Sequence, residues 1–187
     1  KRGKFKEEDA WDCLKKISYL NSRMQAVLEY SAMAQFNTKE EFMEGNLFDF
    51  IEEYAMNILN RSDRLKVQVV RSDTEGIEMK FVPQNIAIIL DNVVSNSTKY
   101  NANELRVLLG KDEKQYTIDF IDDGDGVSSD IADLNELFEF GKGYTLTGTG
   151  VGLYHIKDIV EKDLQGTVTI ESEPQKGFAL HVRFGKV

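Results

Sequence analysis

Asn92, Asn96 and Lys99 stand at i, i+4 and i+7, within about 60° of one another around a helix of 3.6 residues per turn. Amide oxygens are hard ligands that suit Mg²⁺, an ion that keeps waters and phosphate oxygens as its other ligands. A lysine on the same face can set its charge on phosphate, and the neighbouring ring of Tyr100 can lie against a base. The plain alternative is a solvated polar helix face with a snorkelling lysine. A second stretch, 122–127 (DDGDGV), follows a strand-like run and puts Asp122 at a sheet edge, with Gly124, Gly126 and Val127 behind it. Glycines there let backbone approach a ligand. A carboxylate can accept from the exocyclic amine of adenine, a donor that guanine lacks at that position. The string also resembles half a calcium loop, but the twelfth position counted from Asp122 is Asp133, and the flanking helix pair is missing.

A third stretch, Gly148, Thr149, Gly150, Val151, Gly152 and Leu153, precedes an apolar-periodic helix. N–H groups at such a helix start can cradle phosphate. It is not a dinucleotide fingerprint, which follows a strand directly, nor a Walker loop, since no Gly-Lys-Ser/Thr follows. Phe138 and Phe140, flanked by glycines between the second and third stretches, suggest a hinged lid, with Lys142 as a second phosphate contact. In this order and at these separations the stretches read as one ATP site.

The elements that must position these residues follow from periodicity. A helix over 84–100 buries Ile86, Ile89, Leu90, Val93 and Ser97, and turns the two asparagines and the lysine to an adjacent face. Asn46 is a good N-cap for an earlier helix with Leu47, Ile51, Tyr54 and Ile58 on its inner side. Strands are predicted at 65–71, 77–82, 105–109, 116–121, 167–171 and 178–184, with Pro83 closing the second. Ser128 or Ser129 is expected to cap a short helix, and another is expected over 152–162. This order predicts an α+β fold, a two-layer sandwich with helices on one face of a mixed, largely antiparallel sheet. Before it, Cys13, Ile17, Leu20, Met24, Val27, Ser31 and Ala34 alternate steps of four and three over a long helix. That seam is expected to form a dimerisation stalk over 1–37, ahead of a nucleotide-binding domain over 38–187; the alternative is a helix folded onto its own domain.

The sequence has 187 residues, 41% hydrophobic and 29% charged, with a formal charge of −9, which argues against non-specific nucleic-acid binding. An acidic chain that binds an acidic nucleotide must concentrate cations locally and enlist a metal. The single cysteine, Cys13, excludes an internal disulfide and fits a reducing compartment, so a cytoplasmic location is expected. No apolar run approaches the roughly 18 residues of a membrane span, so no membrane contact is expected of this segment. The start at Lys1 reads as a boundary within a longer protein, which could itself be membrane-anchored.

The segments resemble, in order, the N, G1, F and G2 boxes of the ATP-binding domain of sensor histidine kinases, within the GHKL ATPase superfamily and its Bergerat-type fold. Asn92, Asn96, Lys99 and Tyr100 match an N box that reads close to NLLxNAxKY. Asp122, Gly124 and Gly126 match G1, and Gly148, Gly150 and Gly152 match G2. Phe138 and Phe140 match the F box loosely, being two apart where three is common. Ser97 stands where alanine is common. The resemblance covers residues 46–187. It implies that Asn96 and Asn92 hold Mg²⁺, that Lys99 meets phosphate, that Tyr100 packs on adenine and that Asp122 accepts its amine. It also implies a response-regulator receiver domain as partner and a phosphoacceptor histidine on a helical hairpin. The only histidines here are His155 and His181, neither on the N-terminal helix, so the acceptor is expected outside this chain.

Hydrolysing relatives activate water with a glutamate one turn before the metal asparagine. That position is Asn92, and an amide cannot accept a proton usefully. Asn92 and Lys99 are therefore expected to serve phosphoryl transfer, where positioning and charge neutralisation carry most of the catalysis. The alternative is a non-kinase ATP-binding module whose lid closure regulates a partner domain.

Overall fold

The structure is a computed structural model that describes residues 42–57, 64–72, 76–111, 114–142 and 150–185. The expected stalk over 1–37 lies outside the described residues, as do Ile58 and most of the turn after residue 72. Contacts divide the chain into two units. The larger comprises Glu40–Asn135 and His155–Val187, and the described part of the smaller comes from Glu136–Tyr154.

Strand β1 (Met43–Asn46) leads into helix α1 (Leu47–Asn57), followed by β2 (Lys66–Arg71), β3 (Glu78–Phe81) and helix α2 (Pro83–Lys99). Strands β4 (Glu104–Lys111) and β5 (Gln115–Asp122), helix α3 (Gly152–Lys162), and strands β6 (Thr167–Ser172) and β7 (Phe178–Gly185) complete the order. Five strands form a mixed sheet ordered β2-β4-β5-β7-β6, with β2 parallel to β4 and every other pair antiparallel. The two strands expected early in the chain do not pair with each other. β3 instead joins the unforeseen β1 in a two-stranded antiparallel ribbon. β1 escaped the sequence reading because MEGN offers neither alternation nor β-branched residues.

The larger unit has helices on one face of this sheet. Leu105, Val107, Leu109, Ile118, Phe120, Leu180, Val182 and Phe184 are buried at every second position of their strands. Ile86, Ile89, Leu90 and Val93 of α2, Ile156 and Val160 of α3, and Leu47, Phe48 and Ile51 of α1 are buried with them. The opposite sheet face is polar along β5 and β7, where Asp119 accepts from Arg183 Nη1 at 2.5 Å and lies 2.8 Å from His181 Nδ1.

Local chemistry sets the helix limits. The Oδ1 of Asn46 accepts from the N–H groups of Phe48 (3.0 Å), Asp49 (3.2 Å) and Ile77 (3.3 Å), so one amide caps α1 and ties it to the start of β3. Pro83 opens α2 at its first turn, where no intrahelical N–H is needed, directly after β3 has ended. The helix expected after Ser128 or Ser129 is absent. Ser128 Oγ instead accepts from the N–H of Asp130 in a local turn, and a 3₁₀ helix follows at Leu134–Phe138, where Asp133 accepts from Asn135 N at 2.9 Å. A serine that satisfies its own turn competes with helix initiation.

Candidate functional site

α2 carries the first group of residues. Its buried stripe is Ile86, Ile89, Leu90, Val93 and Ser97, as the periodicity predicts, which leaves Asn92, Asn96 and Lys99 half-buried on the adjoining strip. Asn92 Nδ2 donates to the Ile88 carbonyl at 2.8 Å, one turn back. With the nitrogen so engaged, Oδ1 is the end of this amide left to accept or to coordinate. Burial pushes the Lys99 ammonium below its ordinary pKa, and Nζ lies 5.3 Å from the Tyr100 ring centroid. Among the described residues no carboxylate pairs with it, which suits an anion from outside.

The end of α2 is fixed by a left-handed cap. Asn101 has φ 62°; its N–H bonds Thr98 O at 3.4 Å, and Ala102 N bonds Ser97 O at 2.9 Å. This paired closure is the Schellman pattern, and it fixes Tyr100 as the C-cap, just past the last helical residue, Lys99. Asn101 Nδ2 reaches Asp125 Oδ2 at 2.6 Å, and Asp125 N donates to Tyr100 O at 2.9 Å. The helix end and the Asp/Gly turn are thereby joined.

Asp122 ends β5 with 9% of its surface exposed. Its Oδ1 accepts from Gly124 N (3.0 Å) and Phe178 N (3.2 Å), and its Oδ2 accepts from Ser97 Oγ (2.8 Å). The neighbouring acids are used differently. Asp123 accepts from the N–H groups of Glu104 (2.9 Å) and Asn103 (2.7 Å), bonds that hold its carboxyl below the usual range. With Asp123 facing the backbone and Asp125 on Asn101, the half-calcium loop has no converging carboxylates. Gly124 is required by close approach: a Cβ there would lie 2.6 Å from the Tyr100 carbonyl oxygen. Gly126 sits at φ +69°, and a Cβ would collide with the Glu173 carbonyl oxygen.

Two contributors escaped the sequence reading. The loop between β6 and β7 buttresses the turn, with Gln175 N on Asp125 O at 2.7 Å and Val127 N on Ser172 Oγ at 2.9 Å. Nothing in the linear order of residues announces this contact. Ser97, by contrast, left a signal: a polar side chain on an apolar stripe needs a partner.

In the smaller unit, Phe138 is buried, and Phe140 meets Tyr154 edge-on at 5.2 Å between centroids. Gly141 N donates to Gly150 O at 3.1 Å, ahead of Val151 and the α3 residues Gly152 and Leu153. Lys142, expected at phosphate, is engaged by Glu139 (2.9 Å) and Glu136 (3.0 Å), which raise its pKa above the usual lysine range. Gly148 and Thr149 lie outside the described residues.

Residues 81–186 match the profile of the histidine kinase-, DNA gyrase B- and HSP90-like ATPases, which is more than half of the chain. Over 172 residues the chain is 27% identical to the sensor protein kinase PilS of Pseudomonas aeruginosa, covering 88% of this chain and 31% of that protein. The chain thus spans about a third of the length of that curated relative. Among solved structures, the catalytic domain of histidine kinase ThkA matches with a TM-score of 0.64 at 19% identity, over 78% of this chain and 96% of that one. Histidine kinase AdeS of Acinetobacter baumannii matches at 0.61 and 14% identity, over 98% of this chain and 86% of that one. The ATP-binding domain of PrrB from Mycobacterium tuberculosis matches at 0.60 and 18% identity, over 78% and 98%. These structural likenesses concern the fold; the profile match over 81–186 decides the family. The chain belongs to the histidine kinase-, DNA gyrase B- and HSP90-like ATPase family.

Proposed function

We propose that this domain binds ATP with Mg²⁺ and passes the γ-phosphoryl group to a histidine on another segment of a sensor kinase. The observation that carries the reading is Asp122: buried, held by three donors, and left with acceptor capacity at the end of α2 that also presents Asn92, Asn96 and Lys99. In this reading Asp122 accepts the adenine amine, Tyr100 lies against the base and Lys99 neutralises phosphate charge. Asn96 and the free Oδ1 of Asn92 suit Mg²⁺, which would offset charge on the phosphate oxygens. Val127 and the glycines at 124 and 126 shape the base end. Gly148, Gly150 and Gly152, with Thr149, Val151 and Leu153, are assigned to phosphate, and Phe138 and Phe140 to the lid, on the family resemblance.

Transfer is favoured over hydrolysis because, among the described residues of α2, no base stands ready for water. Asn92 occupies the position where a glutamate would serve, and the adjacent Asp91 accepts from Tyr54 Oη at 3.0 Å through both carboxylate oxygens. Neither histidine suits the acceptor role: His155 is buried at 8% exposure, and His181 is engaged by Asp119 on the polar sheet face. The receiver domain that would take the phosphoryl group next, and dimerisation through the 1–37 segment, belong to the same proposal.

The test uses γ-labelled ATP with this chain alone and with an extended protein that carries a preceding helical hairpin. Slow hydrolysis by the chain alone and acid-labile, base-stable label on a hairpin histidine are expected. Rapid turnover by the chain alone would overturn the kinase reading in favour of an ATP-operated regulatory module.

A further inference from the structure

The Asp122 carboxylate offers about four lone-pair positions. Two, on Oδ1, meet the N–H groups of Gly124 and Phe178, and one, on Oδ2, meets the Ser97 hydroxyl. Among the described residues nothing else donates to Asp122, so a single acceptor position remains, on Oδ2. Its direction is set by where Ser97 binds that same oxygen. Ser97 is 1% exposed, and its hydroxyl donates to Asp122 Oδ2 at 2.8 Å. The serine cannot wander: it lies on the buried stripe of α2, and its carbonyl is held by the Ala102 N–H in the helix cap.

We infer that Ser97 is a specificity-determining positioning residue, aiming the one free lone pair of Asp122 so that the site selects 6-amino over 6-oxo purine nucleotides. This rests on the ATP reading of the site. The chemistry is that of a fixed acceptor. An exocyclic amine donates to the remaining lone pair, whereas a carbonyl oxygen at the same place sets acceptor against acceptor and leaves both unmet. An alanine at 97 would leave two free positions on Oδ2 and let water occupy either. The carboxylate would stay in place through Oδ1 while its discrimination weakened.

The experiment titrates wild type, Ser97→Ala and Ser97→Thr with Mg·ATP and with Mg·ITP, whose base carries a 6-oxo group. Wild type is expected to prefer ATP. In Ser97→Ala the ATP:ITP affinity ratio is expected to fall by about tenfold, the scale of one buried hydrogen bond, while Ser97→Thr, which keeps the hydroxyl, retains the preference. A purely structural role would weaken both nucleotides alike and leave the ratio unchanged, which overturns the inference while the ATP reading stands. Absence of Mg·ATP binding by wild type would overturn both.

Discussion

Lys99 and Asp122 owe their properties to what surrounds them rather than to their types. Burial, with no paired carboxylate among the described residues, lowers the Lys99 pKa, so its charge is held at a cost that a phosphate would relieve. Two outcomes are expected. Lys99→Met should weaken ATP far more than adenosine, by about 1–3 kcal/mol for the lost charged contact, as read by calorimetry. ATP affinity of wild type should also decline as pH rises towards the lowered pKa, where the ammonium loses its proton. Lys99→Arg, whose charge persists, should remove that decline. Equal weakening of ATP and adenosine would place Lys99 away from phosphate. The placement of these residues was legible from spacing: the stripe and the asparagine face follow the period of 3.6, and Asp122 closes an alternating strand. The donor set around Asp122 was not, because Phe178 reaches it across 56 positions of sequence.

Individual elements are held by single polar groups at their ends. Asn46 Oδ1 accepts from three N–H groups, so Asn46→Ala should cost about 1–2 kcal/mol of stability in chemical denaturation. Asn101 holds a left-handed position at the end of α2, and Asn101→Gly should be tolerated better than Asn101→Val. The valine should cost about 1–2 kcal/mol and also weaken nucleotide binding, since the cap fixes Tyr100. Equal stability of the two variants would contradict the cap. Strands with alternating or β-branched residues were readable with limits off by one or two positions, as at Lys66–Arg71 and Phe178–Gly185. Which strands pair was not readable, because β3 finds β1 and β2 finds β4 through contacts that no local pattern encodes. The misplaced helix after Ser128 has the same origin at short range: a hydroxyl that can cap a helix can equally close a turn.

For the molecule as a whole, a formal charge of −9 sets a background against which an anionic nucleotide must be held by a few well-placed groups. Burial of His155 adds a pH dependence. Desolvation lowers its pKa from the ordinary 6.5, against the opposing pull of Asp158. The unfolded chain then binds a proton that the folded one resists, so the stability associated with His155 is complete above about pH 6.5 and is lost as pH falls below it. The denaturation midpoint of wild type should therefore fall more between about pH 7.5 and about pH 5.5 than that of His155→Gln, and parallel declines would refute this. Whether Asp122 and the α2 face form a metal-assisted ATP site is decided by calorimetric titration of ATP with and without Mg²⁺ on wild type and Asp122→Asn. Metal-dependent binding that the substitution weakens by about 1–3 kcal/mol is expected of such a site. Wild type that binds no ATP, or a variant that binds it unchanged, would contradict an ATP site at Asp122.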